Sequence, residues 1–253
     1  MSTNANQYGF YFNQARCNAC HTCEVACKTW NKIPAGPQKW LRLFKWYTGT
    51  FVDVQMHTLF APCYHCMNPV CVDAAEGAMY KEPKYGAVLI DPDKATNSSL
   101  KAAWEACPYG AIVFESDAPT AAASKCTMCI DRLEKGLLPI CVAACPQRAL
   151  DFGKIEDLRS KYGTNTQLEG MPDPTKTAPA VVFTPIGSRK QLVPYDTQSA
   201  LQLLSTSPNG TTKIFNSPSD VTSVPDGTVR RNKLMMKPTS VEELMYLTVS
   251  DND

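Results

Sequence analysis

The chain has 253 residues, with 25 basic against 24 acidic side chains and a formal charge of +1. That balance excludes nucleic acid as the main partner, because phosphate binding needs a clear basic excess. The 44 % apolar content is enough for an ordinary core in one or two domains, so the outlier is cysteine, at 12 residues.

Residues 1–7 are polar and lack the apolar core of a signal peptide. No apolar run approaches the ~18 residues of a membrane span. These features predict reduced thiols and a cytoplasmic location; export of the folded chain on a signal-bearing partner stays open. A disulfide framework belongs to small secreted chains and does not suit one of this length.

In chain order, the first cysteine group is Cys17, Cys20, Cys23 and Cys27, and the second is Cys63, Cys66 and Cys71. Residues 86–91 read as a short strand stopped by Pro92. Cys107 follows alone, ahead of Pro108, and residues 111–114 read as another strand. The fourth group is Cys126, Cys129, Cys141 and Cys145, followed by Pro146. Residues 155–162 read as a helix and 171–194 as a proline-rich extended stretch. Asp196 is placed to cap a helix through Leu204. Ser240 and Glu243 have capping-box spacing ahead of residues 244–247. All the cysteines precede residue 146, which divides the chain into a ligand-bearing part, 1–155, and a tail, 156–253.

The first group spells C-x2-C-x2-C-x3-C, the bacterial ferredoxin spacing. Three thiolates on one tight loop bind one [4Fe–4S] cluster, and the fourth, carried off by the following helix, binds a different one. Structural zinc sites present separated C-x2-C pairs instead, and zinc remains the rival reading. Applying the exchange to the whole set predicts three clusters. The first takes Cys17, Cys20, Cys23 and Cys145; the second takes Cys126, Cys129, Cys141 and Cys27; the third takes Cys63, Cys66, Cys71 and Cys107. No cysteine is left over. A fourth cluster would draw on positions 75, 97, 100 and 103, which are Ala75, Asn97, Leu100 and Ala103. The four missing ligands all belong to one site, which reads as the deletion of one cluster.

Other residues carry two readings each. His65, between Cys63 and Cys66, is a ligand or, on the reading favoured by four available thiolates, a hydrogen-bond donor to sulfur or an interface residue. Lys28, Lys125, Arg132 and Arg148 lie near ligands and either offset cluster charge or are ordinary surface cations. Trp104 and Tyr109 flank Cys107 as packing that shields the third cluster. Trp30, Trp40 and Trp46 read as core or interface.

The run Cys63-Tyr-His-Cys66…Cys71, residues 86–91, Cys107-Pro-Tyr-Gly110 and Lys125-Cys-Thr-Met-Cys-Ile-Asp-Arg132 resembles the iron–sulfur subunit of the dimethyl sulfoxide reductase family. The resemblance covers about residues 8–155 and continues to about 195. It implies a large partner subunit holding a molybdenum or tungsten bis-pterin. It also implies that the first cluster sits nearest that partner and that the missing one would be the most distal, beside a membrane anchor. The three-cluster pattern is similar to the small subunit of pyrogallol–phloroglucinol transhydroxylase, which has no quinone-reducing anchor.

The expected fold is therefore α+β, two ferredoxin-like modules with insertions, plus an extended C-terminal arm (or small appended domain) that wraps the catalytic subunit. The expected function is single-electron relay to or from that subunit, in a soluble enzyme acting on phenols. A membrane-linked respiratory reductase of sulfoxide or arsenate type is the alternative. No catalytic triad, pterin loop or nucleotide loop is visible, so substrate chemistry is expected on the partner. No membrane anchor and no nucleic acid are expected, and association of the heterodimers into higher oligomers is left open. A partnerless ferredoxin and a zinc-bearing interaction protein are the rivals from other classes.

Overall fold

The structure is a computed structural model that describes residues 6–36, 38–49, 54–187, 196, 198–199 and 234–240. It mixes short strands and short helices, as an α+β chain should.

Strand β1 (Tyr8–Asn13) is the centre of a three-stranded sheet. It pairs antiparallel with β8 (Leu150–Lys154) and parallel with β9 (Val181–Thr184), in registers Phe10↔Phe152 and Phe10↔Val181. Alternation along β1 sends Phe10 and Phe12 into the main core, where they meet Phe60, Phe152 and Phe183. Tyr11 faces the other way, against helix α6 (Ile155–Tyr162), whose Ile155 and Leu158 are buried with Ala180 and Val182. A side chain at Gly9 would collide with the Ala180 carbonyl and come within 2.9 Å of Ile155 Cδ1, so glycine lets the chain entering β9 lie against β1.

A second ribbon pairs β2 (Leu41–Thr48) with β3 (Gln55–Pro62). Residues from both of its faces, Leu43 and Phe60 on one and Leu59 on the other, belong to the core. The hairpin of β4 (Met79–Lys81) and β5 (Val88–Ile90), and the minimal pair β6 (Val113–Phe114) and β7 (Ala123–Ser124), complete the sheets of the described residues.

The helices follow the cysteine groups. Helix α1 (Thr22–Trp30) packs against α5 (Ile140–Ala143), while α2 (Val70–Asp73) packs against α3 (Asn97–Ala106). The short α4 (Ile130–Leu133) follows Cys129. Among the described residues no helix is long and apolar enough to cross a membrane.

Several expected elements appear at or near their predicted places. The predicted helix at 155–162 is α6. The predicted strands at 86–91 and 111–114 shorten to β5 and β6. The extended stretch 171–194 contains β9. The Asp196 carboxylate accepts hydrogen bonds from the backbone of Gln198 and Ser199, as a cap does, but the rest of that helix and the segment 244–247 lie outside the described residues.

One piece of the tail returns to this chain's own core. Met235 and Met236 are buried, and Lys237 Nζ donates to the carbonyls of Trp104 (2.7 Å) and Glu105 (3.0 Å). The same ammonium lies 4.0 Å from the Trp104 ring centroid.

Candidate functional site

The three Cys-x-x-Cys loops share one backbone device. The second residue after the first cysteine takes a left-handed conformation: Ala19 (φ 57°), His65 (φ 46°) and Met128 (φ 60°). That turn aims its N–H back at the first cysteine. His65 donates to Cys63 Sγ and Met128 to Cys126 Sγ, both at 3.4 Å, and Ala19 bears on Cys17 in the same way. Other donors act on cysteine sulfurs as well, among them Ala149 N–H on Cys145 at 3.4 Å and Asn31 Nδ2 on Cys27 at 3.6 Å. Donors aimed at sulfur favour the thiolate, the form that binds metal.

The mutual influence of the thiols sorts them into three groups. Burial pushes the Cys17 and Cys23 thiols up, and each is raised further by Cys145. Burial pushes Cys27 up to about 12, with Cys129 adding to it, and Cys126 and Cys141 each feel both. Burial also lifts Cys66, Cys71 and Cys107, the second of them to about 12, and all three feel Cys63. The weaker influences run between groups, from Cys23 to Cys141 and from Cys63 to Cys126. Cys20 is the exception: it is exposed, and the Thr22 hydroxyl and N–H hold its thiol below the ordinary value.

Space for a cofactor is most visible in the first group. Cys17, Cys20, Cys23 and Cys145 together line one pocket, floored by Phe12, Leu43, Phe60 and Leu150. Residues from both ends of the ligand-bearing part meet here because α1 packs on α5 and β1 pairs with β8. Four thiols around one pocket with an apolar floor are the donor set that a cubane cluster takes.

Buried polar groups border the same loops. The Thr58 hydroxyl is hydrogen-bonded to Cys17, and His65 Nε2, in a fully buried ring between Cys63 and Cys66, has no hydrogen-bond partner among the described residues. A buried donor left unpaired costs about 1–3 kcal/mol. Sulfur of a bound cluster is an acceptor chemistry that would satisfy the His65 Nε2 donor.

The four cations noted in the sequence divide. Lys125 is buried and donates to the carbonyls of Val88 and Cys126, and its charge favours the thiolates of Cys71 and Cys126. Arg132 is buried too, donating through Nε to the Leu138 carbonyl (2.8 Å) and lying 4.4 Å from the Trp30 ring centroid. Lys28 reaches the Gly36 carbonyl and Arg148 is exposed. Tyr109 is buried and Trp104 half-buried, as expected of residues that shield Cys107. Trp46 is core, Trp40 is half-buried and Trp30 is exposed.

Sequence reading passed over two polar residues that build this region. Glu24, in the first turn of α1, accepts from the Leu43 N–H and pairs with His21 at 2.8 Å and Lys39 at 3.7 Å, which ties α1 to β2. Lys81 donates to the carbonyls of Cys66 (2.7 Å) and Met67 (3.3 Å), pinning the second loop to β4. Their partners are far away in sequence, so neither has a local signature.

Three of the four positions that a fourth set would use are filled with hydrocarbon, the fourth being Asn97, which donates to the Ser116 carbonyl. Ala75, Leu100 and Ala103 are buried in one cluster with Ala78, Met79, Val88, Ile112 and Ala123. Asn97, Leu100 and Ala103 lie on α3, whose start is capped by Thr96 accepting from Ser99 N–H.

Residues 54–155 match a family described as a 4Fe-4S dicluster domain. The chain is 35 % identical over 189 residues to YnfG of Escherichia coli, a probable anaerobic dimethyl sulfoxide reductase subunit, covering 71 % of this chain and 89 % of that one. It is 37 % identical over 190 residues to the B subunit of the anaerobic dimethyl sulfoxide reductase of Haemophilus influenzae, with the same two coverages. Formate dehydrogenase 2 subunit beta of Nitratidesulfovibrio vulgaris is 35 % identical over 171 residues, 59 % of this chain and 77 % of that one.

Proposed function

Because the chain belongs to the iron–sulfur, electron-transfer subunits of the dimethyl sulfoxide reductase family of molybdopterin enzymes, we propose that it relays single electrons through three [4Fe–4S] clusters to or from a molybdenum or tungsten bis-pterin partner. When bound, a cubane cluster supplies a one-electron couple whose potential the surrounding protein sets.

The ligand sets are those of the exchange: Cys17, Cys20, Cys23 and Cys145; Cys27, Cys126, Cys129 and Cys141; Cys63, Cys66, Cys71 and Cys107. The observation that carries this reading is that all four cysteines of the first set, three from one end of the ligand-bearing part and one from the other, line a single pocket. The influence of Cys23 on Cys141 and of Cys63 on Cys126 supports a linear order, first to second to third. The N–H groups of Ala19, His65, Met128 and Ala149 hold the ligand sulfurs, and the aromatic and aliphatic floor keeps water from them. The chain's contribution is to place and insulate the clusters, and substrate chemistry belongs to the partner.

As the finer reading, the complex is soluble and acts on phenols by hydroxyl transfer, hydroxylation or dehydroxylation, without a membrane anchor. The apolar filling at Ala75, Leu100 and Ala103 supports it, since it removes the outermost step of a chain of four. A respiratory reductase remains the second reading, favoured by the dimethyl sulfoxide reductase names of the relatives.

Native purification with bound partners, followed by metal analysis, tests the relay. About 12 iron atoms per chain, with molybdenum or tungsten at about one, is the expected result. About three zinc atoms and no iron would overturn it.

A further inference from the structure

We propose, resting on the third ligand set above, that His65 donates a hydrogen bond from Nε2 to the cluster held by Cys63, Cys66, Cys71 and Cys107, and thereby raises that cluster's reduction potential.

The donor is defined by the hairpin opposite it. In the β4–β5 ribbon, Glu82 N–H bonds the Ala87 carbonyl and Asp91 N–H bonds the Ala78 carbonyl. Antiparallel pairs alternate, so Val88, opposite Lys81, sits at a non-hydrogen-bonded position and turns its N–H and C=O away from β4. That N–H donates to His65 Nδ1 at 2.9 Å. Nδ1 must therefore offer a lone pair, and the neutral ring carries its proton on Nε2.

The ring has little freedom. The backbone N–H of His65 is engaged with Cys63 Sγ at 3.4 Å, its backbone carbonyl accepts from Gln7 Nε2 at 3.2 Å, and the side chain is fully buried. Nε2 has no hydrogen-bond partner among the described residues. The charged groups bearing on the ring are Lys125 and Lys81, which are donors and cannot accept its proton. The acceptor chemistry that completes this loop is sulfur, on a ligand or within the cluster. Reduction adds one negative charge to that sulfur-rich centre, so a fixed donor stabilises the reduced form more than the oxidised one.

The test uses the complex with its catalytic partner, after its iron content has been measured. Wild type, His65→Leu and His65→Gln are titrated anaerobically and followed by electron paramagnetic resonance. Glutamine keeps an N–H near the place of Nε2, whereas leucine has none. The expected result is that one cluster of His65→Leu moves to lower potential by at least a tenfold change in its reduction equilibrium, about 59 mV for one electron. His65→Gln should lie nearer to wild type, and the other two clusters should stay in place. In wild type labelled with 15N only in the imidazole ring of histidine, pulsed resonance on the reduced third cluster should show a weak nitrogen coupling that His65→Gln lacks.

Unchanged potentials in an iron-replete His65→Leu complex would overturn the proposal. If His65→Leu loses the cluster, the labelled spectrum decides: a coupling that disappears in His65→Gln supports the donor, and its absence refutes it. Wild type without iron would instead overturn the electron-transfer reading, and the metal count reveals that before any potential is measured.

Discussion

Two helix pairs occupy comparable places beside the cysteine groups and are filled differently. Between α1 and α5, cysteines from distant parts of the chain meet around a cavity, and the apolar floor of Phe12, Leu43, Phe60 and Leu150 stops short of filling it. Between α2 and α3, the positions that match Cys27 and the rest of the second set are Ala75, Leu100 and Ala103, buried together in apolar packing. The contrast shows that one supersecondary frame accepts either a ring of thiols or a hydrocarbon plug. Leu100, fully buried, is the side chain that closes the second frame.

The sharpest way to break the comparison is to remove a ligand that the first frame exchanges. Cys27 lies in the first sequence group but is grouped in space with Cys129. Cys27→Ala should lower iron from about 12 to about 8 atoms per chain and abolish the second cluster's resonance, leaving the first intact. Loss of the first cluster instead would show that each sequence group serves itself.

The second frame should respond to cavity creation. Leu100→Ala should destabilise the iron-loaded protein by about 2–5 kcal/mol, the range for truncating a fully buried leucine, read as a lower unfolding temperature at unchanged iron content. Placing cysteines at Ala75, Asn97, Leu100 and Ala103 together should add no iron. Three of those positions lie along the capped helix α3 rather than on a Cys-x-x-Cys loop. A gain of about four iron atoms would show that the frame had kept its cradle.

Lys125 joins the two frames. It hangs from the carbonyl of Val88, whose N–H holds His65, and its charge bears on Cys71 of one set and Cys126 of another. Lys125→Met should therefore lower the potentials of the second and third clusters together in a redox titration, whereas His65→Leu should lower only the third. A shift confined to one cluster would remove Lys125 from the junction.

Much of this organisation was legible in the sequence, for a local reason. Cluster ligands sit at fixed short spacings because a loop must wrap one face of a cube, and helix α6 and strand β5 carry strong local patterns. Strand β9 was hidden in a proline-rich stretch, since its partner β1 lies some 170 residues earlier and parallel pairing leaves no turn to mark it. The β2–β3 ribbon and the joints made by Glu24 and Lys81 depend on distant partners in the same way. Helix α3 was concealed because its residues were read as lost ligands rather than as a capped helix with Leu100 and Ala103 on its inner side.

The smallest effect lies farthest from the clusters, where α6 is fastened to the sheet. The Tyr162 ring stacks on Tyr11 at 3.6 Å, and its hydroxyl donates to Asp151 Oδ2 at 2.7 Å. Burial, with the hydrogen bond to the Asp151 carboxylate, raises the Tyr162 phenol above its ordinary value. A group whose folded value is raised contributes stability that is complete below its unfolded value, about pH 10, and is lost as pH climbs through the folded value. Tyr162→Phe keeps the stack and removes only the hydroxyl. At neutral pH it should cost no more than about 0.5–1.5 kcal/mol, toward the low end because the site is half-exposed. Above about pH 10 the unfolding temperatures of wild type and variant should converge. A gap that stayed constant through that range would mean that the stack, and not the hydrogen bond to Asp151, fastens the helix.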